Sequence, residues 1–244
     1  MSEQLPESFH PVGSDEPFSF SCHPGVPCFT ECCRQLDLAL TPYDVLRLKN
    51  RLKLHSGIFL EKYVIIAWEE GQIFPTCYLT MVDDGRESCV FVEKTGCSVY
   101  PDRPSACRSY PVGRGMRRKE SGGIEELFVL VKEPHCRGFE ETASQTPFQY
   151  FTDQELEPYN RANDALLPLL QHKQIRQGFR PDKTQLDQFI LALYNLDMFR
   201  QEMADGRISM NRPLNALELQ AMAGDDEQLL LLGIRWLLQE FFGA

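Results

Sequence analysis

The sequence predicts an α+β fold, with a loop-rich cysteine-cluster region of a few short strands packed against a helical C-terminal region. Three observations carry that expectation. All nine cysteines fall at or before residue 136. Short β-branched or aromatic runs bounded by turn residues fill the same stretch. Beyond residue 145, apolar residues recur at helical spacing instead. The chain therefore divides into a polar tail (1–17), a cysteine-cluster region (18–145) and a helical region (146–244).

Taken in order, the first 17 residues are polar, contain proline and show no periodic pattern, which reads as a loosely attached tail. Thr41-Pro42 offers an N-cap followed by proline at the first helical position. The apolar spacing of Val45, Leu46, Leu48 and Leu52 extends that helix to about Leu54. A second helix is expected from Ile58 to Trp68. Phe74 to Val82, Cys89 to Val92 and Leu127 to Val131 read as strands, with Asp83-Asp84-Gly85 as a turn. Arg103 to Arg108 reads as a short helical turn. Thr152 with Glu155 has the spacing of a capping box, and Pro168 should kink or split the segment after it. Leu186, Phe189, Ile190, Leu193, Leu196, Phe199 and Met203 share one helical face. Gly224 ends a short helix and Asp225 caps the next, whose first turn is acidic as the helix dipole favours. Leu229 to Phe242, apolar around much of its circumference, belongs in the interior.

Composition narrows the function classes. The 244 residues are 43% apolar and 25% charged, ordinary for a globular chain that needs no metal merely to fold. A net charge of −10 argues against a uniform phosphate-binding surface, and so against nucleic acid as a partner. No apolar run approaches the ~20 residues of a membrane helix. The opening MSEQLPESF has neither the basic nor the apolar part of an export signal. The expected location is the cytoplasm.

Thiols are kept reduced in that compartment, so a clustered, odd-numbered set reads as metal-binding or catalytic before disulfide. Four cysteines share one loop, as Cys22-x5-Cys28-x3-Cys32-Cys33; four more follow as Cys89-x7-Cys97-x9-Cys107 and Cys136. Soft thiolates select zinc, copper(I) or iron–sulfur clusters, and turning backbone aims several of them inward. Cys77, inside an apolar run, reads as an inert core thiol. No C-x2-C pair exists, which removes zinc ribbons and thioredoxin-like redox sites. Gln35 stands where a C-x3-C-x2-C cluster motif needs its third cysteine. Glycine-rich phosphate loops and nucleophile elbows are absent, and the Asp83-Asp84 and Asp225-Asp226 pairs read as turn and cap residues.

The segment from Cys97 to Pro111, with Tyr100-Pro101-Asp102-Arg103-Pro104 and then Cys107-Arg108, resembles the hallmark of the YkgJ-type cysteine-cluster (CxxCxxCC) family. The opening loop ending in Cys32-Cys33, followed by Leu40-Thr41-x-x-Asp44, is similar to that family's first half. The resemblance covers roughly residues 18 to 140, and the opening spacing is looser than the nominal C-x2-C-x2-C-C. Members are described as zinc- or iron-chelating proteins and often labelled iron–sulfur oxidoreductases. The resemblance implies a metal set of Cys22, Cys28, Cys32, Cys33, Cys89, Cys97, Cys107 and Cys136, leaving Cys77 aside. It implies a [4Fe–4S] cluster acting in electron transfer or as an oxidoreductase component, with a redox or protein partner. Zn2+ in a structural scaffold is the alternative. A distant similarity to flagellin lysine methylase keeps a protein-modifying methyltransferase as a third. Arg103, Arg108 and Arg137 are candidate donors to the thiolates or plain surface ion pairs. His23 and His135 are candidate replacement ligands or partly exposed side chains. Arg114, Arg117, Arg118 and Lys119 read as a flexible solvated loop or a local anion or nucleic-acid contact.

Overall fold

A computed structural model describes residues 6, 8–118 and 124–243. The described residues form an α+β protein of several small sheets and a largely helical C-terminal half. They fall into two compact units: Met1–Leu36, Met81–Tyr100 and Ser105–Pro158 make the first; Asp37–Thr80, Pro101–Pro104 and Tyr159–Ala244 the second. Residues 37–80, grouped with the cysteine region by composition, thus belong with the helices. The reason is packing: the face that carries Val45, Leu46 and Leu48 is buried in the second unit.

The first unit is built on a three-stranded antiparallel sheet, with Ile124–Val131 between Phe9–Val12 and Val112–Arg118. Phe9 pairs with Val131, and Val112 with Leu130. Two readings are corrected here. Phe9–Val12, assigned to a tail, is an edge strand; its Pro11 disguised it, yet an edge position tolerates a missing N–H. Arg114, Arg117 and Arg118, read as part of a solvated loop, lie on the Val112–Arg118 strand, where Arg114 pairs with Glu126 across the sheet at 2.6 Å. The side chains of Arg117 and Arg118, and all of Lys119, lie outside the described residues. Val12, Phe18, Phe20, Val112, Leu130 and Tyr150 form the core of this unit, with Tyr110, Phe128, Cys136, Phe139 and Phe151 packed against it. Two short hairpins carry cysteines: Met81–Val82 with Ser88–Cys89, and Val92–Glu93 with Gly96–Cys97. The expected continuous strands 74–82 and 89–92 are therefore each divided between different ladders. Asp83-Asp84-Gly85 does lie in the connection, where the Asp84 carboxylate accepts from the Arg86 and Ser88 amides. The helical turn expected near 103–108 is Ser105–Ser109.

In the second unit the Pro42–Leu52 helix starts at a capping box, Thr41 accepting from the Asp44 amide and Asp44 from the Thr41 amide. The next helix, Ser56–Tyr63, ends earlier than expected. Val64–Ala67 turns into an edge strand against Thr76–Leu79, because its β-branched run finds a ladder partner there. The capping box anticipated at Thr152 lies six residues earlier: Thr146 and Gln149 cap Pro147–Asp153, and the Thr152 hydroxyl bonds back to the Phe148 carbonyl. Pro168 splits the chain around it as expected, leaving the one-turn Leu167–Leu170 helix. The apolar stripe from Leu186 to Met203 is carried by two helices, Lys183–Leu193 and Leu196–Ala204. Gly224 ends one helix and Asp225 caps Asp226–Phe242, whose Leu229, Leu230 and Leu237 are buried.

An ionic cluster around a buried lysine lies in this unit. The Lys49 ammonium, on a residue 5% exposed, lies 2.7 Å from Asp226 and 3.2 Å from Asp197. Arg200 reaches both carboxylates, and the Ser56 amide donates to Asp197 at 2.8 Å. Burial disfavours both anions, but these donors outweigh it and hold both carboxyls below the usual range.

Candidate metal centre

Eight cysteines, all those implied as ligands, lie in the first unit; Cys77 lies in the second, fully buried on the Thr76–Leu79 strand. Burial pushes the Cys77 thiol up to about 12, as a core thiol requires.

Three separate stretches build the thiol neighbourhood, and backbone contacts hold them together. The first is the opening loop, Cys22 to Cys33, which ends in a 3-10 turn at Glu31–Cys33. The second is the pair of hairpins bearing Cys89 and Cys97. The third is the segment from Cys136 to Gly138. Loop and third stretch are joined at two points. The Ser21 amide donates to the Gly138 carbonyl at 3.1 Å, and the Arg137 amide donates to the Cys28 sulfur at 3.1 Å. Only glycine fits at 138, since a Cβ there would lie 2.5 Å from the Phe20 ring and 2.9 Å from the Ser21 carbonyl oxygen. Loop and hairpins are joined as well. Arg34 bridges to Ser88 and donates to its hydroxyl, the Gln35 amide donates to the Glu87 carbonyl at 2.9 Å, and Glu31 pairs with Arg86 at 2.8 Å. Gly96, at φ 126°, lets the second hairpin pass against the Phe29 ring.

The result is a group of half-buried thiols drawn from all three stretches. Cys32 shares a hydrogen bond with Cys33, which together with burial and the nearby Glu133 raises its thiol far above the usual range. Cys89 is raised by burial and by the proximity of Cys97 and Cys32, against the pull of the Phe91 and Val92 amides. Cys136 is raised by burial and by Cys28 and Cys32, against hydrogen bonding from Tyr110 and the Gly138 amide. Six of the eight sulfurs, from all three stretches, are thus linked electrostatically. Cys22 is exposed on the opening loop, and Cys107 sits half-buried in the Ser105–Ser109 helix. Among the described residues no three His, Cys, Asp or Glu side chains are disposed to hold a metal ion. The sulfurs are neighbours without forming a coordination shell.

Donor chemistry decides the fit. Thiolates held side by side repel one another, and a soft cation removes that repulsion while using them as ligands. Amide N–H groups directed at sulfur, as Arg137 directs its own at Cys28, are the usual companions of metal thiolates. A thiophilic metal fits these residues on donor type, though side chains on the loops must rotate to complete a shell.

The flanking candidates resolve individually. Arg137 acts on sulfur through its backbone; its guanidinium pairs with Glu140 at 2.8 Å. Arg108 is buried and donates to the Gln154 carbonyl at 2.6 Å. Arg103 is buried too, on a segment counted with the second unit, where the neighbouring Asp102 accepts from Arg47 at 2.6 Å. His23 caps a turn through the Gly25 amide and faces Glu141 at 3.4 Å. His135 faces Glu133 at 3.7 Å. Tyr110 and Glu133 escaped the sequence reading; the position of Tyr110 three residues after Cys107 was the signal available for it.

Residues 21–137 match a family model described as "CxxCxxCC: Putative zinc- or iron-chelating domain". Over this segment the chain is similar to the CxxCxxCC family. No curated protein and no solved structure matches the chain. The CxxCxxCC segment contains all eight cysteines of the first unit and covers nearly the stretch over which the resemblance was expected. The family description supports a metal and leaves zinc and iron open. Among the described residues no helix is long and apolar enough to cross a membrane.

Proposed function

We propose that the CxxCxxCC domain holds an iron–sulfur cluster and serves electron transfer, as a protein in its own right or as a component of an oxidoreductase, in the cytoplasm and with a redox partner. The observation that carries this reading is the joining of three cysteine-bearing stretches by contacts such as Ser21 to Gly138, Arg137 to the Cys28 sulfur, and Gln35 to Glu87, which makes neighbours of Cys28, Cys32, Cys33, Cys89, Cys97 and Cys136. The ligands are drawn from those six together with Cys22 and Cys107. Irregular spacing within one loop, without C-x2-C pairs, suits a cluster better than a tetrahedral zinc knuckle. A bound [4Fe–4S] cluster supplies one-electron transfer.

The chain's own residues do the rest. The Arg137 amide stabilises negative charge on the Cys28 sulfur. Phe20, Phe139 and Tyr150, in edge-to-face contact with centroids 5.2 and 6.1 Å from Phe20, form an apolar wall near Cys136 and exclude water there. Glu133, close to Cys32 and Tyr110, adds negative charge, which favours the more oxidised state of a bound centre.

Anaerobic purification followed by iron, zinc and acid-labile sulfide analysis tests the proposal. It requires iron and sulfide in comparable amounts and a coloured protein. Stoichiometric zinc without sulfide replaces it with a structural zinc site that lends folding energy, about 10–16 kcal/mol in small zinc domains. Saturable binding of a methyl donor by fully loaded protein would instead favour the transferase reading.

A further inference from the structure

The sheet of the second unit runs in the order Ala39–Leu40, Thr76–Leu79, Val64–Ala67, so Val64–Ala67 is one of its edges. The register decides which backbone groups that edge presents. The Thr80 amide donates to the Tyr63 carbonyl at 2.9 Å, so the hydrogen-bonded pairs include Ile65 with Tyr78, and Ile66, opposite Cys77, falls between them. In an antiparallel ladder such a residue turns its N–H and C=O to the other side. Ile66 therefore presents both groups to the open edge. The Val64 carbonyl faces the same way, while the Val64 amide is taken by the Leu60 carbonyl.

The side chains are as open as the backbone. Ile65 is 56% exposed and Trp68 59%, and Ile66 is exposed as well. Proteins ordinarily guard such an edge with proline, charge or extreme shortness. The three-stranded sheet of the first unit does so, with Pro11 in one edge strand and Arg114, Arg117 and Arg118 in the other. The Ala39–Leu40 edge has only two residues. The run Val64-Ile65-Ile66-Ala67-Trp68 holds neither proline nor charge. Charge stands at its ends instead. Lys62 precedes it, with its ammonium 5.0 Å from the Tyr63 ring centroid, and Glu69 and Glu70 follow it.

We propose that this edge pairs with the same edge of a second copy of the chain, antiparallel about a two-fold axis at Ile66. An edge that is its own partner makes an isologous contact. Ile66 exchanges N–H···O=C bonds with Ile66 of the partner subunit, and the Val64 carbonyl faces the amide of the partner subunit's Trp68. Ile65 lies against the partner's Ala67. Continued outward, the register sets Lys62 against the partner's Glu70, once at each end of the contact. Glu61 lies about a quarter turn away from Lys62 around its helix. A parallel pairing would bring like charges together at both ends, so charge selects the antiparallel one. All of these residues belong to the second unit, and the pairing is independent of any metal.

Sedimentation equilibrium of the full chain tests this, with reductant present to exclude disulfides, from about 10 µM to about 1 mM, a range suited to a contact this small. Wild type should pass from monomer to dimer, and Ile66→Lys should stay monomeric throughout. Lys62 and Glu70 are exposed, so charge reversal there leaves the fold intact. Lys62→Glu and Glu70→Lys, each alone, should dimerise about tenfold more weakly, because both ends then join like charges. Mixed in equal amounts, the two variants should recover wild-type association, since each end of a mixed dimer again joins opposite charges. A wild type that stays monomeric would overturn the proposal, as would a dimer unmoved by Ile66→Lys. Single charge variants that associate as wild type does, or a mixture no stronger than its components, would overturn it as well.

Discussion

Replacing Gly138 by alanine tests how the opening loop is fastened to the Cys136 stretch. The new Cβ would lie 2.5 Å from Phe20 Cε2, 3.0 Å from Cδ2 and 2.9 Å from the Ser21 carbonyl oxygen. The carbonyl is backbone and cannot rotate aside. The Phe20 ring is 3% exposed and is flanked by Tyr110, Phe139 and Tyr150, so it has nowhere to go. The two strands of chain must therefore separate, which strains or breaks the Ser21–Gly138 hydrogen bond. Overpacking of this kind costs about 1–3 kcal/mol and the hydrogen bond about 1 kcal/mol more, for a loss of about 2–4 kcal/mol in the first unit. Gly115→Ala is the control, because its Cβ would meet nothing nearer than the Leu127 carbonyl oxygen at 4.0 Å. Both tryptophans, Trp68 and Trp236, belong to the second unit, so indole fluorescence is the wrong readout. Hydrogen exchange of the Ile124–Val131 strand in reduced, metal-free protein reports the correct unit. Gly138→Ala should speed that exchange by more than tenfold, and Gly115→Ala should leave it nearly unchanged. Equal protection in the two variants would refute the packing argument.

Other expectations rest on single contacts. Lys49→Met takes the buried ammonium away from the half-buried Asp197 and Asp226, which keep Arg200, and should destabilise the protein by about 1.5–3 kcal/mol near neutral pH in a denaturant titration. Both carboxyls are held below their ordinary values. Their contribution is therefore complete above about pH 4 and is lost as pH falls through the lowered folded-state values; wild-type stability should drop with acid in that window, and the gap to Lys49→Met should narrow. Cys32→Ser should abolish metal uptake measured by competition titration. Cys77→Ala should leave uptake intact, at a stability cost of about 1 kcal/mol for the small cavity. With an alkylating reagent at mildly alkaline pH, the exposed Cys22 should be modified early in metal-free protein, and the buried Cys77, with its thiol pushed up to about 12, only on unfolding, as read by peptide mapping.

The sequence was most informative where one local rule decides the outcome. Thr41-Pro42 starts a helix because cap and proline agree, and Gly224-Asp225 separates two helices for the same kind of reason. The segregation of the cysteines and the Cys97–Pro111 segment pointed to the right family over the right stretch. The features that stayed hidden depend on partners distant in the chain. Phe9–Val12 and Val112–Arg118 are strands only because Ile124–Val131 lies between them. Their proline, glycines and charges gave no strand signal of their own. Val64–Ala67 continues a helical pattern until Thr76–Leu79 offers it a ladder. At the candidate site the thiols were legible as a set, but not which of them meet. That grouping is made by contacts such as Ser21 with Gly138 and Arg34 with Ser88.

X-ray absorption at the edge of the metal carried by anaerobically isolated, full-length protein addresses the gathering of sulfurs most directly. A first shell of about four sulfur atoms near 2.3 Å, lost in Cys32→Ser and retained in Cys77→Ala, is the predicted result. A shell of nitrogen and oxygen alone, or a sulfur shell indifferent to the loss of Cys32, would contradict the account.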